Sequence, residues 1–463
     1  MSFSEIEFIF IFLPIFLAVY YIIPVRFRNI WTVAGSAFFV IYGMRGTPIN
    51  ILFLAISLAV NFFLAIEIAE NGKKSKLWLV LGIIYNFGRL VVYKYTDIFI
   101  DAINSAAGTS LPLLNLSMPL GISFYTFCVV AYLADVYKRK IDAQRNVIKY
   151  GAYMLFFPKF ISGPITRYGE LAGALDAPKT RFEDFDDGLR EFILGLGLKV
   201  LIANRLSGAW NAVSVIGFES ISTPLAWLGI IAYSLQLYFD FYGYSLMAIG
   251  IGRMMGFNLP QNFAHPYYST SMTEFWRRWH MTLSSWFRDY VYIPLGGSRK
   301  GFGFTVLNLL IVWLFTGMWH GASGNYIVWG LFLFVIILIE KLGLKKLLDK
   351  SKIFGHVYML LLIPLSWLPF VITKLSDVGV YLTRLFPFFG EGINVFQGDF
   401  AKNLAIYWPF MLAGIILCLP FGRKLYDRFK KSIPMTIILV LIFWAAVYCI
   451  YKGMNDPFMY FNF

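Results

Sequence analysis

Two histidines stand out as residues that could do chemistry in a chain that is otherwise largely apolar. His280 lies within Ser271–Pro294 (SMTEFWRRWHMTLSSWFRDYVYIP), which combines aromatic, basic and hydroxyl-bearing side chains. His320 closes an apolar run in the sequence Trp319–His320–Gly321. Ionisable groups are costly inside a bilayer and are retained there mainly where they have a function. We therefore predict that His280 and His320 meet at a reaction centre.

The chemistry that such a pair of imidazoles favours is acyl transfer. A neutral imidazole is less costly to bury than a carboxylate, and it can accept a proton near neutral pH. One histidine would deprotonate an acceptor hydroxyl while the other binds or polarises the reacting group. A structural, hydrogen-bonded histidine is the alternative for His280. On the acyl-transfer hypothesis, His320 and His280 are the catalytic residues.

The segment around His280 is predicted to form one amphipathic helix. Ser271 and Glu274 have the spacing of a capping box, which would start the helix at the next residue. At 100° per residue, Arg277 and Arg288 would lie together on one flank of an aromatic face, and Arg278 would lie on the far side. Such a helix could line a cavity with its arginines placed for phosphates, or it could lie in the membrane interface and bind lipid headgroups.

The remaining candidates are polar or aromatic residues near the two histidines. Ser284 would lie beside His280 on the predicted helix, and Asp240 is a carboxylate within an apolar run. Asp240 could bind substrate or could be the structural partner of an arginine. The predicted substrate-binding residues are Arg277, Arg278, Arg288, Trp319, Ser284 and Asp240.

The sequence contains no pattern typical of a metal or nucleotide-cofactor site. The four histidines form no i,i+4 pair, and no cysteine or acidic cluster lies near them at ligand spacing. The three cysteines lie within or beside apolar runs and suggest no disulfide framework. There is no Walker loop or dinucleotide fingerprint. We predict no metal and no permanently bound cofactor.

The elements that must position these residues are membrane helices. Of the 463 residues, 59% are hydrophobic and 14% are charged, whereas soluble proteins carry about a quarter charged residues. Several apolar runs approach or reach the roughly 20 residues that cross about 30 Å of hydrocarbon. The net charge of +14 comes from short basic clusters between these runs, which is typical of topology signals beside anionic lipid. The sequence predicts an all-α polytopic membrane protein. Its positive charge is expected to interact with membrane lipids and not with nucleic acid.

The placement of basic residues predicts an N-terminus outside the cell. Basic clusters follow the first, third and fifth of the predicted spans, so these loops are expected in the cytoplasm. The first run lacks a basic n-region and a small-residue cleavage pattern, which predicts a retained span. The predicted spans are 8–23, 30–42, 49–68, 77–93, 119–136, 225–252, 304–319, 326–339, 357–372, 406–420 and 434–451.

The runs 304–319 and 326–339 are predicted to form a hairpin whose tip carries His320. Arg299 and Lys300 precede the first arm and a lysine cluster follows the second, so both ends are expected in the cytoplasm. Each arm is about 21–24 Å long at 1.5 Å per residue, which is shorter than the hydrocarbon is thick. The tip is therefore predicted to be buried at membrane depth.

Other segments do not fit plain spans. The stretch 150–168 is interrupted by prolines and a glycine, and such backbone at membrane depth must be buried in protein or line a cavity. The weakly apolar stretch 96–116 is predicted to be a short outer or re-entrant piece, and the amphipathic stretch 189–203 an interfacial helix. We find no internal repeat or soluble domain and predict a single membrane domain over 1–463, with its catalytic core at about 150–340.

Several extended motifs stand out in the sequence. They are FFPKFISGPITRY (156–168), LQLYFDFYGYSLMAIGIGRMMGF (235–257), NFAHPYYSTSMTEFWRRWHMTLSSWFRDYVYIPLGGSR (262–299), FTGMWHGAS (315–323) and the aromatic C-terminal tail. These motifs resemble the membrane-bound O-acyltransferase family, and within it the alginate O-acetyltransferase membrane subunits and related polysaccharide O-acetyltransferases. Tyr242, Leu246 and Gly324 depart from the family pattern, so the resemblance does not name the acceptor polymer.

This resemblance implies a ring of about 10–12 tilted helices, with re-entrant and interfacial helices, around a thin central core. The family's invariant histidine matches His320, and its second motif histidine matches His280. The resemblance also implies a protein of the bacterial plasma (inner) membrane. The implied donor is acetyl-CoA, which would enter the protein from the cytoplasm. Candidates for the CoA phosphates are Arg277, Arg278 and Arg288, with Arg299 and Lys300 as competitors.

The same resemblance implies an acceptor hydroxyl on the outer side of the membrane. The acetyl group would pass to an exported or cell-surface polysaccharide, through a periplasmic or extracellular acetyltransferase partner protein. One alternative is a D-alanyl transferase for teichoic acid that uses an acyl-carrier-protein donor. The other, from a different class, is a transporter for a lipid-linked sugar, although such proteins often show internal repeats that this sequence lacks.

Overall fold

A computed structural model describes residues 1–386, 388 and 395–459 of the chain. The described residues are mostly helical, and they contain no β-strand. The predicted all-α fold is therefore confirmed. The segment between the predicted spans 357–372 and 406–420 and the aromatic tail at 457–463 lie partly outside the described residues.

The α-helices, numbered in chain order, are α1 Leu13–Ile22, α2 Arg28–Gly43, α3 Pro48–Glu70, α4 Ser75–Ala107, α5 Ile122–Tyr137, α6 Val147–Met154, α7 Phe157–Phe160, α8 Tyr168–Asp176, α9 Phe182–Gly197, α10 Asn204–Ile216, α11 Thr223–Met254, α12 Met272–Arg278, α13 Met281–Phe287, α14 Phe302–His320, α15 Gly324–Ile339, α16 Lys345–Lys350, α17 Lys352–Val371, α18 Leu375–Leu385, α19 Asp399–Cys418, α20 Pro420–Phe429 and α21 Ile433–Tyr451. Wider π-helical turns extend or join some of them at Phe8–Phe12, Leu198–Ala203, Arg288–Tyr292 and Glu340–Leu344. Short 3₁₀ turns occur at Val25–Phe27, Phe218–Ser220 and Pro266–Tyr268.

Eight helical stretches of the described chain are long and apolar enough to cross a membrane. Two shorter apolar helices, Phe8–Ile22 and Ile122–Tyr137, coincide with further predicted spans. The chain is thus a multi-pass membrane protein. The eight stretches are Pro48–Glu70, Ser75–Ala107, Phe182–Ile216, Phe302–His320, Gly324–Lys350, Lys352–Val371, Asp399–Cys418 and Ile433–Tyr451.

Two segments differ from the sequence-based expectation. The stretch from residue 96 continues α4 as a helix up to Ala107, because no helix-breaking residue comes before Gly108, which ends the helix at φ +64°. The predicted interfacial helix at 189–203 is part of Phe182–Ile216, which has the length and composition of a span. Here a π-helical turn at Leu198–Ala203 joins α9 to α10, so the amphipathic pattern reflects packing within the protein.

The described residues divide into two compact units. The first contains Met1–Phe192 and Ala248–Pro260. Within it, every residue from Ala152 to Thr166 is buried, and helical structure is interrupted between α7 and α8. This confirms that the proline- and glycine-broken segment is enclosed by protein.

The second unit contains Ile193–Met247 and Gln261–Met459 and holds both histidines. Its α14 and α15 form the predicted hairpin. A Cβ atom on Gly317 would lie 2.5 Å from the carbonyl oxygen of Tyr326, and one on Gly330 would lie 2.5 Å from that of Trp313. Glycine at these positions therefore lets the two arms approach closely, as small residues do between membrane helices.

Candidate active site

The segment around His280 is two short helices and not one. α12 ends at Arg278 and α13 begins at Met281, and His280 between them has φ +43°. The prediction of one continuous amphipathic helix is therefore wrong, and the side-chain faces drawn from it do not apply. The break cannot be read from helix propensity, because a histidine with positive φ is uncommon and is held there by its surroundings.

The extended segment formed by residues 262–264 stabilises this break between α12 and α13. The backbone N–H of Met281 donates to the carbonyl of Asn262 at 2.9 Å, and the N–H of Ala264 donates to the carbonyl of Arg278 at 2.9 Å. Backbone groups that a continuous helix would use internally are paired instead with this segment. The break is therefore stabilised by specific hydrogen bonds. Because of it, the His280 side chain does not point in the direction that a continuous helix would give it.

The Ser271 half of the predicted capping box is present at the start of α12, whereas the Glu274 carboxylate accepts from the N–H of Thr270 at 2.8 Å. The N–H of Glu274 donates to Ser271 Oγ at 3.1 Å. The buried carboxylate of Glu340 accepts from the N–H groups of Met272 and Thr273, at 2.6 and 2.8 Å. A carboxylate at a helix N-terminus is favourable because it meets unsatisfied donors and the positive end of the dipole. Glu340 thus ties α12 to the end of α15.

Asn262 fixes the tautomer of His280. The Oδ1 atom of Asn262 accepts from the backbone N–H of Thr282 at 3.4 Å, while its Nδ2 donates to Ser245 Oγ at 3.2 Å. Oδ1 is also 3.0 Å from His280 Nδ1. Because an amide oxygen can only accept, Nδ1 must carry the proton. The Nε2 atom of the neutral imidazole then holds the lone pair.

Burial keeps His280 in its neutral form. The residue is 2% exposed, and burial lowers the pKa of the imidazole to about 3. A charged imidazolium is disfavoured in such surroundings because it would lose its hydration. At neutral pH, His280 therefore presents an unprotonated Nε2, which can accept a proton or a hydrogen bond.

His320 is the last residue of α14 and lies in an aromatic environment. Its ring meets Trp329 edge-on at 4.9 Å and Phe370 edge-on at 5.1 Å between centroids. The residue is 4% exposed. His320 is thus enclosed by rings from α15 and α17, whereas Ser323 and Gly324 at the turn of the hairpin are exposed. The depth of the tip in the membrane stays a prediction.

Trp319 lies between the two histidines. Its ring centroid is 4.5 Å from that of His320 and 6.2 Å from that of His280. The two imidazoles therefore come from distant parts of the sequence and pack against the same indole. Trp319 is therefore the side chain that connects His280 with His320.

A cavity of about 640 Å³ opens beside His280. It has a size typical of small-molecule sites. Three cationic side chains line it: Arg277, Arg288 and Lys341. Ser284 lines it as well, with its hydroxyl donating to the carbonyl of Trp276 at 3.0 Å. The cavity thus combines a mostly apolar wall with positive charge, as an amphiphilic anionic ligand requires.

One face of α14 leads from this cavity to His320. Leu309, Val312, Trp313 and Thr316 line the cavity along the helix. Residues four apart lie on the same helical face, so His320 comes one turn after Thr316 on that face. The cavity therefore extends along α14 in the direction of the second histidine.

Not all predicted site residues lie on the cavity. Arg278 pairs with Glu274 at 2.6 Å and is not among the residues that line it. Asp240 is buried elsewhere in the second unit, where its Oδ1 is 2.6 Å from Lys199 Nζ. The partner of Asp240 is thus a lysine and not an arginine. Neither Arg299 nor Lys300 lines the cavity.

Sequence reasoning missed Asn262 and Lys341. Asn262 lies in NFAHPYY, and no spacing within the sequence connects it to His280 eighteen positions later. The sequence pattern predicts Lys341 only as the first residue of a cytoplasmic lysine cluster. A signal did exist for Lys341, because it follows the buried residue Ile337 by four positions, about one helical turn, in the π-helical turn Glu340–Leu344 that continues α15.

Comparison with known protein families gives an independent result. The model of the MBOAT, or membrane-bound O-acyltransferase, family matches residues 120–373, which is more than half of the chain. Both histidines, Asn262 and every residue named above as lining the cavity lie within the matched region.

Individual proteins are similar to the chain over most of its length. The probable alginate O-acetylase AlgI of Pseudomonas putida is 38% identical over 492 aligned positions, covering 100% of both chains. The peptidoglycan O-acetyltransferase of Helicobacter pylori is 30% identical, covering 98% of this chain and 96% of its own. The teichoic acid D-alanyltransferase of Bacillus subtilis is 30% identical but covers only 47% of this chain and 58% of its own. The chain belongs to the membrane-bound O-acyltransferase family and is a multi-pass membrane O-acyltransferase.

Proposed function

We propose that this protein transfers an acetyl group from cytoplasmic acetyl-CoA to a hydroxyl on the outer side of a bacterial plasma membrane. The observation that carries the proposal is the cavity beside His280, which is lined by three cations and extends along α14 toward His320. Its product would be an O-acetyl ester on an exported or cell-surface polysaccharide. The donor remains a substrate that binds and leaves.

The charge of the cavity supports a phosphate-bearing donor. Arg277 and Arg288 are both exposed to solvent at the cavity, where Arg288 also pairs with Asp289 at 2.7 Å, and Lys341 adds a third positive charge. Arginine suits phosphate because its planar fork can make two parallel hydrogen bonds. The apolar wall, which includes Trp276 and Leu283, suits the pantetheine arm.

The lysine cluster supports a cytoplasmic entry for the donor. Lys341 lines the cavity and is the first of a series of lysines that continues to Lys352. Clusters of this kind mark the cytoplasmic side of membrane proteins. The basic residues that follow the first and third predicted spans also favour the cytoplasmic side, which supports an N-terminus on the outer side of the membrane.

The surroundings of the histidines support different roles in one reaction. His280 Nε2 is unprotonated, so it can accept a hydrogen bond from an amide N–H of the pantetheine arm and hold the thioester in place. His320 takes the proton of the acceptor hydroxyl. The acceptor oxygen then bonds to the acetyl carbon, the carbon–sulfur bond breaks, and the leaving thiolate takes up the proton that His320 received.

The relatives support a polysaccharide acceptor. Those that align over nearly the whole chain are named as O-acetyl-transferring proteins for alginate and for peptidoglycan. We propose a related polymer here, reached through a periplasmic or extracellular acetyltransferase that accepts the acetyl group first. The D-alanyltransferase relative, which aligns over less than half of the chain, makes aminoacyl transfer the second candidate.

The test uses the purified full chain in lipid nanodiscs. Acetyl-CoA labelled in the acetyl group and D-alanyl carrier protein are offered separately, and loss of the thioester is followed with and without a soluble hydroxyl acceptor. We expect turnover of acetyl-CoA that depends on His320. Turnover of the carrier protein alone would replace the proposal with the second candidate, and turnover of neither would refute it.

A further inference from the structure

The chain after the last helix returns to the interior of the second unit. The C-terminal segment, defined here as Met454–Met459, follows α21 and lies against a buried ion pair. Phe458 within it is 1% exposed. A short terminal segment is ordinarily among the least ordered parts of a domain unless specific contacts hold it.

The ion pair under this segment is formed by Lys199 and Asp240. Their charged atoms are 2.6 Å apart, and their side chains are 1% and 2% exposed. Gly243 makes this possible, because a Cβ there would lie 2.6 Å from the carbonyl oxygen of Gly195 and 3.0 Å from the amide nitrogen of Lys199. Buried charges are costly unless their remaining donors and acceptors are also satisfied.

The C-terminal segment supplies those partners from its main chain. Lys199 Nζ donates to the carbonyl of Asp456 at 3.0 Å, and the N–H of Met459 donates to Asp240 Oδ2 at 2.9 Å. The Ser207 hydroxyl also donates to Asp456 Oδ2 at 2.6 Å. Each member of the ion pair thus has one backbone partner from the segment, so the pair and the segment hold each other in place.

Aromatic rings connect this segment with His280. Phe458 stacks on Tyr244 at 4.3 Å and lies 5.9 Å from Phe241. Phe241 in turn meets the imidazole of His280 edge-on at 4.8 Å. Phe458 therefore contacts His280 indirectly, through the ring of Phe241. The backbone of His280 is in the uncommon region of positive φ.

We propose that the C-terminal segment is a positioning element for His280. The buried ion pair fixes the main chain of the segment, Phe458 supports Phe241, and Phe241 holds one side of the imidazole against the cavity. Phe458 is a positioning residue, because it acts through Phe241. This inference rests on the proposed function for the role of His280, but its geometry does not depend on the identity of the donor.

Phe458→Ala tests the inference with two separate readouts. We expect kcat for acetyl transfer to fall about tenfold with little change in KM, since a small misplacement of a positioning group is costly. We also expect the rate at which diethyl pyrocarbonate modifies His280, measured by mass spectrometry, to rise about threefold through local opening. Tyr451→Ala, at a residue that is 74% exposed, is the matched control and should change neither rate.

Three results would overturn the inference. One is a Phe458→Ala variant with unchanged kcat and unchanged His280 reactivity. Another is an equal rise in reactivity at His280, His320 and His356, which would show general loosening only. The third is a Tyr451→Ala variant with the same effects. If the alanine variant does not accumulate in membranes, Phe458→Leu is judged by the same criteria. If the wild type transfers no acetyl group, the proposed function fails, and the reactivity of His280 still decides the inference.

Discussion

The two histidines have different surroundings, although both pack against Trp319. His280 lines a charged cavity and has a hydrogen bond from Nδ1 to Asn262. His320 lies among the rings of Trp329 and Phe370 and is not among the cavity-lining residues. The first environment fixes a tautomer next to a cavity, and the second encloses the imidazole among aromatic rings, while both histidines are buried. In the proposed function, His280 belongs to the donor side of the reaction and His320 to the acceptor side.

The largest expected effect is on the acceptor side. His320→Ala removes the proposed base, so kcat should fall about 10²- to 10⁴-fold, the usual contribution of general base catalysis. The measurement is acetyl transfer at saturating acetyl-CoA. His356→Ala is the matched control, because His356 contacts Tyr268 in a different part of the second unit. A His320→Ala variant with wild-type kcat would contradict the proposed role of His320 as the base on the acceptor side.

The next effect concerns the cations of the donor side. Arg277→Ala combined with Lys341→Ala should raise KM for acetyl-CoA about 10²- to 10⁴-fold, since two charge-assisted hydrogen bonds at roughly 1.5–3 kcal/mol each are lost. The value of kcat should change little. Arg278→Ala is the control, because that side chain pairs with Glu274 and does not line the cavity. Equal effects of the Arg277 and Arg278 substitutions would contradict the assignment of the cavity to the donor.

A smaller effect should separate the roles of the histidines directly. Glutamine can accept a hydrogen bond but cannot act as a base near neutral pH. His280→Gln should therefore retain kcat within about tenfold while raising KM, whereas His320→Gln should lose kcat as His320→Ala does. Steady-state kinetics over a range of acetyl-CoA concentrations would distinguish the two. Equal loss of kcat in both glutamine variants would show that His280 also transfers a proton.

The smallest effect is on pH dependence. Because burial lowers the pKa of His280 to about 3, its imidazole stays neutral as the pH falls through 6.5, the value of a free histidine. No loss of kcat/KM near pH 6.5 should therefore arise from His280. Asn262→Asp would place a carboxylate on Nδ1, raise that pKa and move the loss of activity to higher pH. A wild-type transition near pH 6.5 that disappears in His280→Gln would contradict this account.

Much of the fold could be predicted from the sequence, because span length and basic clusters are local signals. The α14–α15 hairpin, the broken segment at 150–168 and the cap at Ser271 all follow from local residue types. The break at His280 could not be predicted, since it depends on hydrogen bonds to the 262–264 segment. A helical wheel places Arg277 and Arg288 on one flank, and both do line the cavity, but Arg277 belongs to α12 and Arg288 to the π-helical turn after α13.

The partner of Asp240 shows the same limit. Its burial could be anticipated from an apolar run, whereas its pairing with Lys199 depends on the close approach of Gly195 and Gly243. Such contacts join residues that are distant in sequence and have no shared periodicity. They become visible only when helix packing is known.

The most direct test of the central claim is a cryo-electron microscopy structure with acetonyl-CoA, an analogue in which a methylene group prevents loss of the thiol. The account predicts the diphosphate among Arg277, Arg288 and Lys341, the ketone carbon next to Trp319, and His280 within hydrogen-bond distance of the pantetheine arm. An analogue bound away from this cavity, or with its ketone remote from both imidazoles, would contradict it.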